Sequence, residues 1–232
     1  MKLYVGASGY AYKEWKGEFY PEKLSSARML GFYSERLDTV EINNTFYRMP
    51  TEKVLTSWAN QVPEGFVFAL KAPQRITHIK RLRDIDEETD YLFATLAALG
   101  DKLGPVLFQF PTSFRKDLPA LKGLLDLLPP YALCAFAFRS KSWLDDETLE
   151  LLRHNHCGLC IEDTDEAPVD AITSTTSWGY LRLRGSDYTE SDLSRWSAMV
   201  LSQPWDKAFV FFKHETQALA PKLAMRFREI SQ

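Results

Sequence analysis

Eight short apolar segments recur along this chain of 232 residues, and most are separated by a stretch with helical spacing. Runs of this kind, bounded by turn residues, read as buried strands. The pattern predicts strands over Leu3–Ser8, Thr39–Asn43, Phe66–Lys71, Pro105–Phe110, Leu133–Arg139, Gly158–Asp163, Gly179–Arg184 and Ala208–Lys213. It predicts helices over Arg28–Leu37, Glu52–Gln61, Glu87–Leu99, Leu118–Leu128, Asp146–His154, Glu190–Leu201 and Ala218–Ile230. Asp165–Ser177, after the sixth strand, reads as a loop or one short turn. Eight units of about 29 residues fit an α/β chain folded as a (β/α)8 TIM barrel. A doubly wound open sheet is the alternative, but no Gly-x-Gly-x-x-Gly follows the first strand. No linker or low-complexity tract divides the chain, so one domain over residues 1–232 is expected.

A barrel of this type works at the ends of its strands. Those ends carry Ser8, Glu41, Asn43, Lys71, Gln109, Arg139, Asp163, Arg182, Arg184, Lys213 and His214, whereas the strand starts are mostly apolar. The stretch Thr39-Val40-Glu41-Ile42-Asn43-Asn44-Thr45-Phe46-Tyr47-Arg48 is the densest of these. Side chains alternate along a strand, so Glu41 and Asn43 share a face opposite Val40 and Ile42. A carboxylate turned inward needs partners or a task. It is either a general acid/base held by Asn43, Asn44 and Arg48, or half of a buried Glu–Arg pair. In the seventh strand, Leu181 and Leu183 suit the helix side, which turns Arg182 and Arg184 inward. Two inward arginines clamp a phosphate or carboxylate, or they pair with Glu162, Asp163 or Glu215.

Arg139 follows Ala135 and Ala137 on one face, and those alanines leave room inside. Trp143 walls a pocket or caps the next helix. Lys71 and His78 follow the third strand, and Lys213-His214-Glu215 closes the eighth, where His and Glu together can hold a proton shuttle. The aromatics Tyr10, Tyr12, Trp15, Phe19 and Tyr20, joined by Phe46 and Tyr47, read as a hydrophobic lid with one or two rings touching ligand.

Several classes are disfavoured. A net charge of −3 gives no global field for nucleic acid, although a local patch is compatible with it. His154 and His156 precede the sixth strand, which leaves His78 and His214 as the histidines on the functional side. A metal site is therefore disfavoured. Cys157 and Cys160 spell C-x-x-C, but residues three apart on a strand face opposite ways, so core thiols are expected. No Walker A or Gly-x-Ser-x-Gly motif occurs, and no nucleotide cofactor is indicated. Met1–Gly6 enters a strand at once, without the apolar core or cleavage site of a signal peptide, and no run reaches membrane-span length. With three cysteines, a reducing, cytoplasmic location is expected. Oligomeric state is left open.

Gly6-Ala7-Ser8-Gly9-Tyr10 with Tyr12, Trp15, Gly17 and Phe19-Tyr20-Pro21 resembles the opening of the YecE-like family, domain of unknown function 72. Thr39–Arg48 with Pro50 resembles its second signature. Phe66-Val67-Phe68 with Lys71, Thr77-His78, Leu103–Pro111, Phe138-Arg139 with Ser142-Trp143, Asp163 and Tyr180-Leu181-Arg182 extend the likeness through most of the chain. The resemblance implies a TIM barrel with a pocket at the strand ends, and no established activity. Likeness to endonuclease IV and xylose isomerase barrels is one of fold alone. The chain also departs from the pattern. Ala137 stands where the family usually has Glu, Arg184 where it has His, and Lys213-His214 where it has Asn-Asn.

The expectation is an enzyme acting on a small anionic or sugar-like substrate. Glu41, Asn43 and Asp163 are its candidate catalytic residues. Asn44, Tyr47, Arg48, Lys71, His78, Gln109, Arg139, Trp143, Arg182, Arg184, Lys213 and His214 are its candidate binding residues. The alternatives are a nucleic-acid-processing protein and a non-catalytic ligand-binding member.

Overall fold

Alternation along each strand sorts the side chains into two layers, one inside a barrel and one under its helices. The computed structural model describes residues 1–214 and 216–232, with the backbone alone at position 216. Its strands are β1 Lys2–Ala7, β2 Thr39–Ile42, β3 Val67–Lys71, β4 Leu103–Phe110, β5 Cys134–Phe138, β6 Gly158–Asp163, β7 Trp178–Leu183 and β8 Lys207–Phe212. They run parallel in chain order and close into a barrel. The helices are α1 Met29–Ser34, α2 Glu52–Gln61, α3 Asp86–Leu96, α4 Leu118–Leu127, α5 Asp146–His154, α6 Glu190–Leu201 and α7 Leu219–Ile230.

The TIM-barrel expectation holds, and the differences are at the edges. The helix predicted to Leu99 stops at Leu96, and a 3-10 turn over Ala97–Lys102 takes over. Gly100 there has φ 53°, a left-handed conformation that glycine tolerates and a regular helix does not. The strand predicted to Arg139 ends at Phe138, which places Arg139 on the rim. The segment 165–177 contains no helix, so β6 and β7 are joined without the usual covering element.

Tyr4, Val67, Ala69, Leu107, Ala135, Ala137, Cys160, Trp178, Tyr180, Phe209 and Phe211 fill the barrel. Tyr4 stacks on Phe209 at 4.9 Å between ring centroids and helps to close the lower end. The opposite parity, including Val40, Phe68, Phe108, Phe136, Leu181 and Val210, belongs to the larger layer under the helices. Burial of that apolar surface is the main driving force for the fold. One close approach positions the upper end. A Cβ on Gly6 would lie 2.0 Å from the Thr39 carbonyl oxygen. Glycine lets β1 press against β2, and Tyr33 bridges them from α1. Its hydroxyl accepts from Ala7 N–H (2.8 Å) and donates to Thr39 O (2.9 Å). Ser8 is thereby brought beside Glu41.

Candidate functional site at the barrel mouth

Glu41 is fully buried at the end of β2. Its Oε1 accepts from Ser8 Oγ (2.7 Å), Asn43 Nδ2 (3.0 Å) and Arg182 Nη2 (3.1 Å). Its Oε2 accepts from the Tyr180 hydroxyl (2.7 Å). Arg182 Nε lies 3.0 Å from Oε2 as an ion pair, off the line of a hydrogen bond. Burial alone pushes the carboxyl up, but the Arg182 charge and the donors from Ser8, Tyr180 and Asn43 outweigh it. The acid is held below its ordinary value. Burial likewise opposes the charge on Arg182, and Glu41 and Glu162 overcome it, raising the guanidinium. A carboxylate with both oxygens committed, next to a permanent cation, is a poor proton carrier. Glu41 is half of a buried Glu–Arg pair, and its partner is Arg182 and not the neighbouring Arg48, which is exposed.

The network continues into β6. Glu162 Oε1 accepts from Arg182 Nη1 (3.0 Å) and from Arg184 Nη1 (2.6 Å). Both arginines point inward as their parity requires. For each, a salt bridge to Glu162 is formed, whereas Asp163 takes no part; Glu215 lies outside the described residues.

The other side of the mouth is built by β3, β4 and β5. Lys71 Nζ donates to Gln109 Oε1 (2.5 Å) and sits 4.1 Å from the centroid of the Phe46 ring. Burial lowers the Lys71 amine to about 8; Arg182 and Arg139 repel its proton, and Glu41 and Glu162 only partly oppose them. Gln109 is 3 % exposed, and its Nε2 has no acceptor. Arg139 is exposed on the rim, and no carboxylate pairs with it among the described residues. His78 packs edge-on against Phe46 at 4.8 Å, with Nδ1 2.8 Å from Thr77 Oγ1. Burial, then the charges on Lys71, Arg139 and Arg81, lower its pKa, which favours the neutral ring. It stands on a π-helical turn, Arg75–Ile79, a form that often occurs at functional sites.

Two candidates do not join this cluster. Asp163 has the parity of Leu159 and Ile161 and lies on the outer side of β6. Its oxygens accept from Val169 N–H (2.9 Å) and the Tyr188 hydroxyl (2.6 Å), so it fastens the loops after β6 and β7. Trp143 is wholly buried, donates Nε1–H to Phe114 O (2.8 Å) and stacks on Phe138 at 5.0 Å. It caps the outer core. Asn44, Tyr47 and Arg48 are all exposed at the start of the second loop, and Tyr47 retains 74 % of its surface. Lys213 follows β8, its backbone N–H donating to Leu183 O (3.1 Å). His214 has a buried Nε2 without a partner. Burial lowers its pKa, against the Gly185 backbone and Asp165. Trp15 and Tyr20 of the first loop are buried and in ring contact with one another, and Phe19 packs on Phe32 of α1.

Tyr180 holds the centre together without a role read from sequence, and Glu162, offered there as one of three partners for the arginines, is the one that pairs with them. Parity could have placed both, since Tyr180 shares the face of Arg182, and Glu162 pairs with Arg182 across β6–β7. Among the described residues, no group of three or more His, Cys, Asp and Glu side chains could hold a metal ion. No helix among them is long and apolar enough to cross a membrane. All three cysteines are buried free thiols.

A family model described as DUF72, protein of unknown function, matches residues 4–232. The UPF0759 protein YecE of Escherichia coli K12 is 28% identical over 128 residues, which cover 55% of this chain and 44% of YecE. The UPF0759 protein YunF of Bacillus subtilis is 27% identical over 164 residues, 65% of this chain and 57% of YunF. The chain thus spans about half the length of the curated relatives it matches. The crystal structure of a DUF72 family protein from Thermotoga maritima superposes with a TM-score of 0.87 at 27% identity, over 99% of each chain.

Proposed function

The chain belongs to the DUF72 family, and from the mouth of its barrel we propose an enzyme that acts on a small anionic substrate bound between Lys71, Gln109 and Arg139. One observation carries this reading. On the β3–β5 side, donors outnumber acceptors. Gln109 Nε2 is buried without an acceptor, and an unmet buried donor costs about 1–3 kcal/mol. Arg139 above it has no counter-ion among the described residues, and Lys71 feels the charges of both Arg139 and Arg182. What is missing is a compact acceptor with negative charge, which is what a phosphate or carboxylate supplies. Ala69, Ala135 and Ala137 keep the space below small-sided.

Lys71, rather than Glu41, is the residue suited to move protons. Its amine is lowered to about 8, and an acid/base group works best with a pKa near the operating pH. Glu41 instead holds Arg182 as a fixed positive floor. The reading places the protein in the cytoplasm, which suits three unpaired thiols. The test is a thermal-shift titration with inorganic phosphate. Phosphate should raise the melting temperature of the parent chain and leave Arg139→Ala and Lys71→Met unmoved. A shift of equal size in all three would rule out the mouth as the site.

A second reading, a nucleic-acid-processing protein, draws on a groove of about 910 Å³ beside the mouth. Lys80, Arg81, Arg83, Arg115 and Lys116 line it. Lys80 is already paired with Glu88, and Lys116 with Asp145 and Glu147. This weakens the groove as a phosphate track. Binding to single-stranded DNA or RNA that appears at low salt and falls steeply with added salt would favour it.

A further inference from the structure

The wall of the barrel is split beside the mouth. β5 and β6 pair only at Ala135–Gly158 and Phe136–Leu159. The next positions, Ala137 and Cys160, then Phe138 and Ile161, lie within both strands and do not pair. By contrast, β6 and β7 stay paired up to Asp163–Leu183. The part of the wall that opens is next to the connection that has no helix, residues 164–177. Leu159 on the outer face of β6 is consequently only half-buried, whereas Phe136, Leu181 and Val210, on the outer faces of other strands, are fully buried.

A cleft of about 910 Å³ fills this gap, within the range of small-molecule sites, about 300–1,000 Å³. Its two ends differ in chemistry. At the mouth it is lined by Arg139, Arg184 and Glu162, the last already committed to Arg182 and Arg184, and its rim also carries Lys141, Glu166 and Asp165, whose Oδ1 accepts from Ser186 N–H. Away from the mouth it is lined by Leu144, Leu149, Leu159, Ile161 and Val169. Leu144 is 53 % exposed at its edge, a large apolar side chain with nothing over it. A purely polar ligand, such as a sugar phosphate, would leave that half of the cleft unmatched.

We infer that the ligand of this barrel is an amphiphilic anion, with its charged head at Arg139 and an unbranched apolar tail in the cleft between β5 and β6. The proposal rests on the anion-binding reading of the mouth and adds the tail. The charge on Arg139 fixes which end of the ligand enters first. The parted strands let the tail leave the mouth sideways, across Leu159 and Ile161, without displacing the Glu41–Arg182 network.

The test is isothermal titration of the full chain with butyl phosphate, octyl phosphate, butanoate and octanoate, all below micellar concentrations, beside inorganic phosphate. Each methylene taken fully out of water strengthens binding about fourfold. Even with the cleft half open, the eight-carbon members should bind at least about tenfold tighter than the four-carbon ones. In Leu144→Asp the ratio should fall towards one. That variant changes an exposed side chain and is expected to fold. A chain-length ratio near one in the parent protein, with phosphate bound and lost in Arg139→Ala, overturns the tail and leaves the mouth reading standing. A ratio above ten that Leu144→Asp does not lower places the tail elsewhere and also overturns it. If no anion of either length binds, both readings fall.

Discussion

On one side of the mouth, β1, β2, β6 and β7 contribute Ser8, Glu41, Glu162, Tyr180, Arg182 and Arg184. The charges there pair with one another at 2.6–3.1 Å, although Arg182 Nε faces Glu41 without a hydrogen bond. On the other side, β3, β4 and β5 contribute Lys71, Gln109 and Arg139. These share one strong hydrogen bond, and among the described residues an amide donor and a guanidinium are left unanswered. The halves belong to one ring of strand ends, so fold class cannot account for the difference. The closed half already contains its counter-charges and gains nothing from a ligand. The open half holds donors whose acceptor must come from outside. A buried polar network is rigid when complete, so the complete half serves as the fixed wall against which the incomplete half can bind.

The largest effect should come from breaking the closed half. Glu41→Ala leaves Arg182, 3 % exposed, facing a void with no counter-charge on that side. Loss of one partner of a buried pair costs about 3–5 kcal/mol, read as a fall in the urea midpoint at unchanged slope. Glu41→Gln keeps the volume and should cost less. The pH dependence has a definite sign. The Glu41 carboxyl is lowered in the folded protein, so its contribution is complete above the ordinary carboxylate value. It is lost as pH falls through the folded value, and Glu41→Gln should flatten that acid limb. A Glu41→Ala protein as stable as its parent would return Glu41 to the list of acid/base candidates.

The contrast was partly legible in the sequence, and where it was not the reason is geometric. Eight apolar segments with helical stretches between them dictate the barrel, and alternation alone turns Glu41, Arg182 and Arg184 inward. The same rule applied to Leu159-Cys160-Ile161-Glu162-Asp163 puts Glu162 inside and Asp163 outside. Treating Asp163 as a strand-end polar residue, without its parity, assigned it to the wrong layer. Trp143 carries no such signal, because it follows the strand and its burial depends on Phe110, Phe114 and Phe138 meeting it in three dimensions. Which donors remain unanswered could not be read at all. That depends on distances across the barrel, such as Tyr180 to Glu41, which are 139 positions apart.

A middle-sized effect separates the two layers of β6. Asp163→Ala removes the acceptor of Val169 N–H and of the Tyr188 hydroxyl, which burial and Asp163 both hold in its protonated form. Stability should fall by about 1–3 kcal/mol, with phosphate binding at the mouth unchanged. Amide protection should drop in residues 164–177 and 185–188 and nowhere in β2 or β3. Loss of phosphate affinity without loss of loop protection would move Asp163 into the site.

An effect on stability confined to alkaline pH tests the open half. Burial and neighbouring cations lower the Lys71 amine to about 8 in the folded chain, whereas an unfolded lysine titrates near 10.4. Below pH 8 both states carry the proton, and the folded state bears the full cost of a charge beside Arg182 and Arg139. Between about pH 8 and 10.4 the unfolded chain binds more protons than the folded one, so stability rises with pH across that window. Lys71→Met has no proton to lose and should erase the rise. Phosphate affinity should move the opposite way, falling as pH passes through 8, because the lost proton is the charge the anion meets. The two opposed slopes have one source only if Lys71 is both strained without ligand and used with it. A stability slope that persists in Lys71→Met would assign it to another amine and leave the open half without its titrating group.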